Sequence, residues 1–451
     1  MKYKVSRNKN YDFAGESYAS SYPNLHRYPA TMIPQIGVEI FSELNIKSGR
    51  LLDPYCGSGS SFVVGLNRGL KDMEGFDINP LAILISNAKF SSLTLNELKE
   101  EASKINDKLF EISFGECDII PKIPDVYNIE FWFPENAIKY LSIIKYLIFK
   151  INNEKVRNFF LVPFSETVRE CSYTRNGEFK LFRMKEEDRK KFNPDVYGVF
   201  SNKLNKAIFV YEKYYYPILD SAKILLYPTG FLKKDNYYDV VLTSPPYGDS
   251  RTTVAYGQFS ILTNEWLDIQ NARQIDNMLM GGRKTNENYK YGLMRHYINE
   301  VAKVSEKRAL EVSAFYSDLE NSIKDVAASV KKGGKIIYVV GNRMVKDVVL
   351  PTDQFIAEKF EENGFRHLLT YERLLANKAM PSLNSPTNKS GVKRSTMTRE
   401  YIIVCEKPFG PESWVVCDYG NAKSVTKKRT KPIKKKAKNT KKTKTTAHTA
   451  R

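Results

Sequence analysis

Short, dense apolar runs alternate along the chain with stretches whose apolar residues recur at helical spacing. Leu51-Leu52 before Asp53 and Asp72-Met-Glu-Gly-Phe76 read as two early strands. Lys223-Ile-Leu-Leu-Tyr227, Asp239-Val-Val-Leu-Thr243 and Lys335-Ile-Ile-Tyr-Val-Val340 read as three later ones. Brief apolar and β-branched runs of this kind are the pattern of buried strands. A helix is predicted from about Ser61 to Arg68, ended by Gly69 as a left-handed cap. Leu310 to Val330 reads as an amphipathic helix before Gly333-Gly334, and Phe365 to Thr370 with Glu400 to Cys405 as a late antiparallel pair. The expected fold is α/β: a mostly parallel sheet, helices on both faces, and a reversed hairpin at its edge.

The stretch 91–221 has mixed helical patterns, such as Tyr140 to Ile151, and the charged run Lys185-Glu-Glu-Asp-Arg-Lys-Lys191. It reads as a mainly helical insertion between the second and third strands. The organisation is then 1–90, the insertion 91–221, 222–415, and a basic tail 416–451. No internal repeat is evident.

Composition narrows the class. Of 451 residues 42% are apolar, enough for a proper core. No apolar stretch reaches the roughly 18–20 residues of a membrane span, and the first residues, Met1-Lys-Tyr-Lys-Val-Ser-Arg7, lack a secretory apolar region. Cys56, Cys117, Cys171, Cys405 and Cys417 form no C-x-x-C pair, so they read as reduced thiols of a cytoplasmic protein, with no metal site expected. The net charge is +19; Lys423 to Arg451 supplies 13 basic residues and no acid, leaving about +6 for the rest. Such a low-complexity tail attracts phosphate without sequence preference. A solubilising or localisation role is the alternative.

Two constellations carry chemistry. Ser244-Pro245-Pro246-Tyr247 ends the fourth strand, because proline fixes φ and has no N–H for a sheet. A hydroxyl, fixed carbonyls and an aromatic face at a strand's carboxyl end can hold a flat heterocycle and accept from its exocyclic amine. The second constellation is Asp53-Pro-Tyr-Cys-Gly57-Ser-Gly59, a strand, a glycine turn and a helix, followed by a second strand ending on Asp77. An acid at that place accepts from ribose hydroxyls. A phosphate loop is excluded, since Gly-Lys-Ser/Thr is missing, and Asp53 suits a cofactor with a cationic end.

Asp53-Pro-Tyr-Cys-Gly-Ser-Gly-Ser60 resembles the S-adenosylmethionine motif of amino-group DNA methyltransferases, and Thr243-Ser-Pro-Pro-Tyr247 their catalytic motif. His26-Arg-Tyr-Pro-Ala30, with Met32 and Pro34, is similar to their amino-terminal cofactor motif. Ser before Pro-Pro-Tyr is typical of the cytosine-N4 branch; adenine-N6 enzymes usually carry Asp or Asn. The resemblance covers roughly 20–90 and 220–410 and implies a Rossmann-like methyltransferase fold. It implies catalysis by Ser244, Pro245, Pro246 and Tyr247 on a base flipped from double-stranded DNA. Cofactor contacts follow from Tyr28, Pro29, Ala30, Asp53, Tyr55, Gly57, Gly59, Asp77, Ile78 and Ser244. It also implies a restriction–modification setting, with a cognate endonuclease encoded nearby, and a nucleoid-associated location. An orphan regulatory enzyme, adenine-N6 methylation, an RNA base-amine methyltransferase and a non-catalytic DNA-binding protein on this fold are the other readings. Cytosine-C5 chemistry needs a Pro-Cys loop after the fourth strand, and Pro245-Pro246 stands there instead.

Candidate DNA contacts are Arg169 and Arg175, because arginine to guanine is the commonest specific contact; solvated helix charges are the alternative. Arg251 and Tyr256 lie in the segment after the catalytic corner, which otherwise reads as a structural lid. Arg343, after the fifth strand, either meets DNA or braces the catalytic loop. His296 and His367 lack partners at metal spacing.

Overall fold

The computed structural model describes residues 2–410, apart from 17–21, 30, 116–118, 176, 178–179, 220, 250–252, 376–382, 385–393 and 396–397. Ala30, Arg251 and the basic tail therefore lie outside the described residues. Residues 1–409 form one compact unit.

Among the described residues eight strands make the main sheet: β1 (Val5–Arg7), β2 (Arg50–Asp53), β3 (Asp72–Phe76), β4 (Lys223–Tyr227), β5 (Tyr238–Thr243), β6 (Val330–Val340), β7 (Arg366–Leu374) and β8 (Arg399–Glu406). Their order is β1-β7-β8-β6-β5-β2-β3-β4. All neighbours are parallel except β8, which is antiparallel to both β6 and β7. The reversed pair is thus not at the edge. Ile402 to Cys405 of β8 are fully buried, which suits an interior strand, whereas three-residue β1 is largely polar and short, as edges tend to be.

Burial alternates along the strands. Leu51, Val240, Leu242, Ile337 and Val404 face one core; Leu52, Val241, Ile336, Tyr338 and Ile403 face the other. The first core is covered by α1 (Pro34–Glu43), α2 (Ser60–Asn67) and α3 (Pro80–Phe90). It continues without a break into α4 (Leu95–Ser113), α5 (Glu135–Phe149), α6 (Glu154–Glu170), α7 (Val196–Val210) and α8 (Tyr256–Trp266). The second core is covered by α9 (Met294–Val304), α10 (Glu306–Ser329) and α11 (Thr352–Glu362). Local chemistry sets the helix starts. Proline opens α1 and α3, and the Asn79 and Asn153 side chains accept from the first free N–H groups of α3 and α6. The helix α10 gives way at Ser329 and β6 begins at once, five residues before its expected start, with Gly333 at φ 78° and a shift in the β5–β6 ladder.

Candidate active site

The carboxyl ends of β2, β3, β4 and β5 open onto a cavity of about 520 Å³. That is the side of an open α/β sheet on which ligands bind, and the volume suits a small cofactor. β2 and β5 are neighbours, so the glycine turn after Asp53 stands beside the Ser-Pro-Pro-Tyr corner. Tyr28, Pro29, Asp53, Tyr55, Gly57, Asp77, Ile78, Ser244, Pro246 and Tyr256 all line the cavity. Sequence separations as large as those between Tyr28, Asp77 and Ser244 are closed here.

Asp53 joins the two halves. Its Oδ1 accepts from the Thr243 hydroxyl at 2.6 Å and the Tyr55 N–H at 3.1 Å; its Oδ2 accepts from Ser61 at 2.5 Å. Burial pushes this carboxyl up to about 6, partly offset by those donors. Asp77 straps the turn: Oδ2 accepts from the Gly57 N–H at 3.0 Å and Oδ1 from the Asn79 N–H at 2.8 Å. Burial raises it likewise to about 6. From beneath, Ser86 donates to the Gly57 carbonyl at 2.8 Å and Lys89 to the Ser58 carbonyl at 2.7 Å. Burial lowers Lys89 to about 7.

Not every expected residue faces the ligand space. Gly59 stands behind the turn at φ 84°, where a Cβ would come within 2.4 Å of the Phe90 ring. Its smallness serves the packing of α2 onto α3. Pro245 is buried, and the Tyr247 hydroxyl lies 3.2 Å from Ser244 Oγ. Tyr256 is a cavity wall stacked on Tyr28, with ring centroids 6.1 Å apart.

The arginines divide. Arg169 is largely occupied within the protein: it donates to the Phe259 carbonyl at 3.0 Å and lies 4.3 Å over that ring. Burial lowers it to about 10. Arg343 pairs with buried Asp249 at 2.6 Å, two residues beyond the Ser-Pro-Pro-Tyr corner. Arg175 is exposed.

Sequence reasoning missed one wall of the cavity. Asp318, Ser322 and Asp325 of α10 face it, as do Phe231 and the segment Met278 to Met280 with Arg283. The Gly281 N–H donates to Asp318 at 2.8 Å, and Tyr55 bonds Ser322. The signal was a polar stripe at spacings of four and three on a helix read only for its apolar face. Cys56 also lines the cavity, but burial holds its thiol well above the ordinary range, so it stays neutral.

The residues fit an adenosyl amino-acid cofactor. Asp77 stands at the carboxyl end of β3, and Asp53, Asp318 and Asp325 put further acids on the wall. Ser58 is among the lining residues, and its hydroxyl is buried without a hydrogen-bond partner among the described residues. No ligating cluster of His, Cys, Asp or Glu is found among the described residues, and no helix among them is long and apolar enough to cross a membrane.

No protein-family model matches the chain. The type II methyltransferase M.MvaI of Kocuria varians is 38% identical over 433 residues, spanning 89% of this chain and 94% of that protein. Among solved structures, TrmN of Thermus thermophilus aligns at 7% identity and a TM-score of 0.28 over 84% of this chain and 51% of its own. The rRNA methyltransferase AviRa of Streptomyces viridochromogenes aligns at 13% identity and a TM-score of 0.27 over 89% and 94%. With an extensive relative of known class, a Rossmann-like sheet and a cavity that fits the methyl donor, the chain belongs to the type II DNA methyltransferase family and uses S-adenosylmethionine.

Proposed function

We propose that this enzyme methylates the N4 amine of cytosine in double-stranded DNA, within a restriction–modification system whose endonuclease would share the target sequence. The observation that carries the reading is Ser244 on the cavity wall, one residue from Thr243, whose hydroxyl meets Asp53 at 2.6 Å. Amine-binding corner and cofactor turn are thereby one rigid piece.

Bound S-adenosylmethionine supplies an electrophilic methyl group on a sulfonium. Asp77 would accept from its ribose hydroxyls, and Asp53 with the acidic stripe of α10 would attract its cationic amino-acid end. The base is flipped from the duplex. Ser244 Oγ and a carbonyl of Ser244 or Pro245 accept the two amine N–H bonds, drawing the nitrogen lone pair out of the ring's conjugation and aiming it at the methyl. Positioning of this kind supplies much of the rate. The Tyr247 ring packs against the base. C5 chemistry needs a Pro-Cys loop where Pro245-Pro246 stands, and Cys56 lies on the cofactor turn instead. Target recognition falls to 91–221 or to the excursion 250–300, with the exposed Arg175 as a candidate contact.

The test is transfer of labelled methyl to duplex DNA, followed by nucleoside digestion and mass spectrometry. N4-methylcytosine is expected. N6-methyladenine without N4-methylcytosine would refute the assignment.

A further inference from the structure

Behind the catalytic corner stands a chain of polar groups whose far members, Glu400 and Arg373, the reaction as described does not use. Ser244 Oγ lies 3.2 Å from the Tyr247 hydroxyl, and that hydroxyl donates to Glu400 Oε1 at 3.1 Å. Glu400 Oε2 in turn accepts from Arg373 Nη1 at 2.5 Å. Glu400 and Arg373 are register partners on β8 and β7, and their side chains are only 14% and 3% exposed.

The polarity of this chain is fixed from its far end. A carboxylate held by a guanidinium only accepts. Tyr247 must therefore donate to it, and burial holds the Tyr247 hydroxyl well above its ordinary range, so the proton stays. The lone pairs of Tyr247 are left to accept, and the single proton of Ser244 points to them. What Ser244 then offers the cavity is lone pairs alone. A freely turning serine hydroxyl would serve an amine or a ring carbonyl equally well; an oriented one serves the amine.

We propose that Glu400, acting through Tyr247, sets Ser244 as an acceptor and so makes the pocket select an exocyclic amine over a carbonyl at the same position of the base. The proposal deepens the base-amine reading and rests on it. Tyr247 then does more than pack against the base, and Glu400 and Arg373 are positioning residues.

Tyr247→Phe keeps the ring and removes only the relaying oxygen. Single-turnover rates, KM for DNA and calorimetric affinity for S-adenosylmethionine would be measured on the full chain, with duplexes built on the mapped target. The rate is expected to fall about tenfold, the worth of one oriented hydrogen bond, with KM and cofactor affinity within about twofold. Preference in binding for the target base over its keto counterpart (uracil for cytosine) should shrink by a similar factor. Glu400→Gln should match it, and the double variant should be no slower than either single one, as for members of one chain. If Glu400→Gln does not fold, Tyr247→Phe decides alone.

A Tyr247→Phe enzyme with the parent's rate and base preference overturns the relay, as do losses that multiply in the double variant. Tyr247→Ala and Ser244→Ala separate the two ideas. If both slow transfer while Tyr247→Phe does not, the base-amine reading stands and the relay falls. If Ser244→Ala keeps the full rate, the base-amine reading itself fails.

Discussion

Replacing Asp53 by Asn should make the protein more stable and a worse methyltransferase. The carboxyl is 4% exposed, and burial moves it from 3.8 to about 6. That gap corresponds to about 3 kcal/mol. The sign follows from linkage: between pH 4 and 6 the folded chain binds the proton more tightly than the unfolded one, so stability falls as pH rises through this window. Above about pH 6 the folded enzyme bears the full penalty of a buried carboxylate. Asn carries no such penalty and keeps the geometry. Its Oδ1 can still accept from the Tyr55 N–H and Thr243, and the Ser61 hydroxyl can turn to accept from the amide. With about 1 kcal/mol lost to weaker hydrogen bonds, a net gain of about 2 kcal/mol at pH 8 is expected. Urea melts at pH 5 and pH 8 should show the advantage larger at pH 8 by about 1 kcal/mol. Calorimetry at pH 8 should show S-adenosylmethionine bound ten- to a hundredfold more weakly, since a nearby cation loses a charge partner worth several kcal/mol at about 4 Å. A variant less stable than the parent at pH 8, a gain independent of pH, or unchanged cofactor affinity would each refute the reasoning.

Gly59→Ala should cost about 2–5 kcal/mol, combining a left-handed backbone with a methyl 2.4 Å from the Phe90 ring; a loss under about 1 kcal/mol in urea melts would contradict the packing role. Arg343→Ala weakens the compensation of buried Asp249, whose other guanidinium, Arg308, is 3.7 Å away. It should cost about 1–3 kcal/mol, speed protease cleavage after residue 248 and lower turnover with cofactor affinity kept. An unchanged digestion pattern and rate would count against the brace.

Much of the parallel sheet was legible because apolar runs such as Val240 to Leu242 are long enough to stand out and end on residues, Asp53, Asp77 and Ser244, whose chemistry is plain. Gly69 takes the left-handed cap assigned to it, at φ 83°. The three-residue β1 was too short to carry a pattern. The place of β8 inside the sheet was hidden because antiparallel partners on either side look alike from one strand. Charged side chains explain the rest. Asp318 and Asp325 read as solvent-facing residues of an amphipathic helix, yet that polar face looks into the cavity. Arg373 lies beyond the expected end of the strand Phe365 to Thr370, and only the register of β7 on β8 pairs it with Glu400. Arg169 was read for its charge, and its fate was decided by Phe259, 90 residues away.

Asp53 and Thr243 touch although 190 residues of chain separate them. Closing a flexible loop of that length costs only about 2 kcal/mol more chain entropy than closing one of about 20 residues. The intervening helical segment can therefore lengthen or shorten across related chains with little thermodynamic effect on the strands it joins. What the separation governs is timing. A chain still being synthesised carries the methyl-donor turn long before β5 emerges to pair with β2, so an unfinished enzyme can hold half an active centre and modify nothing.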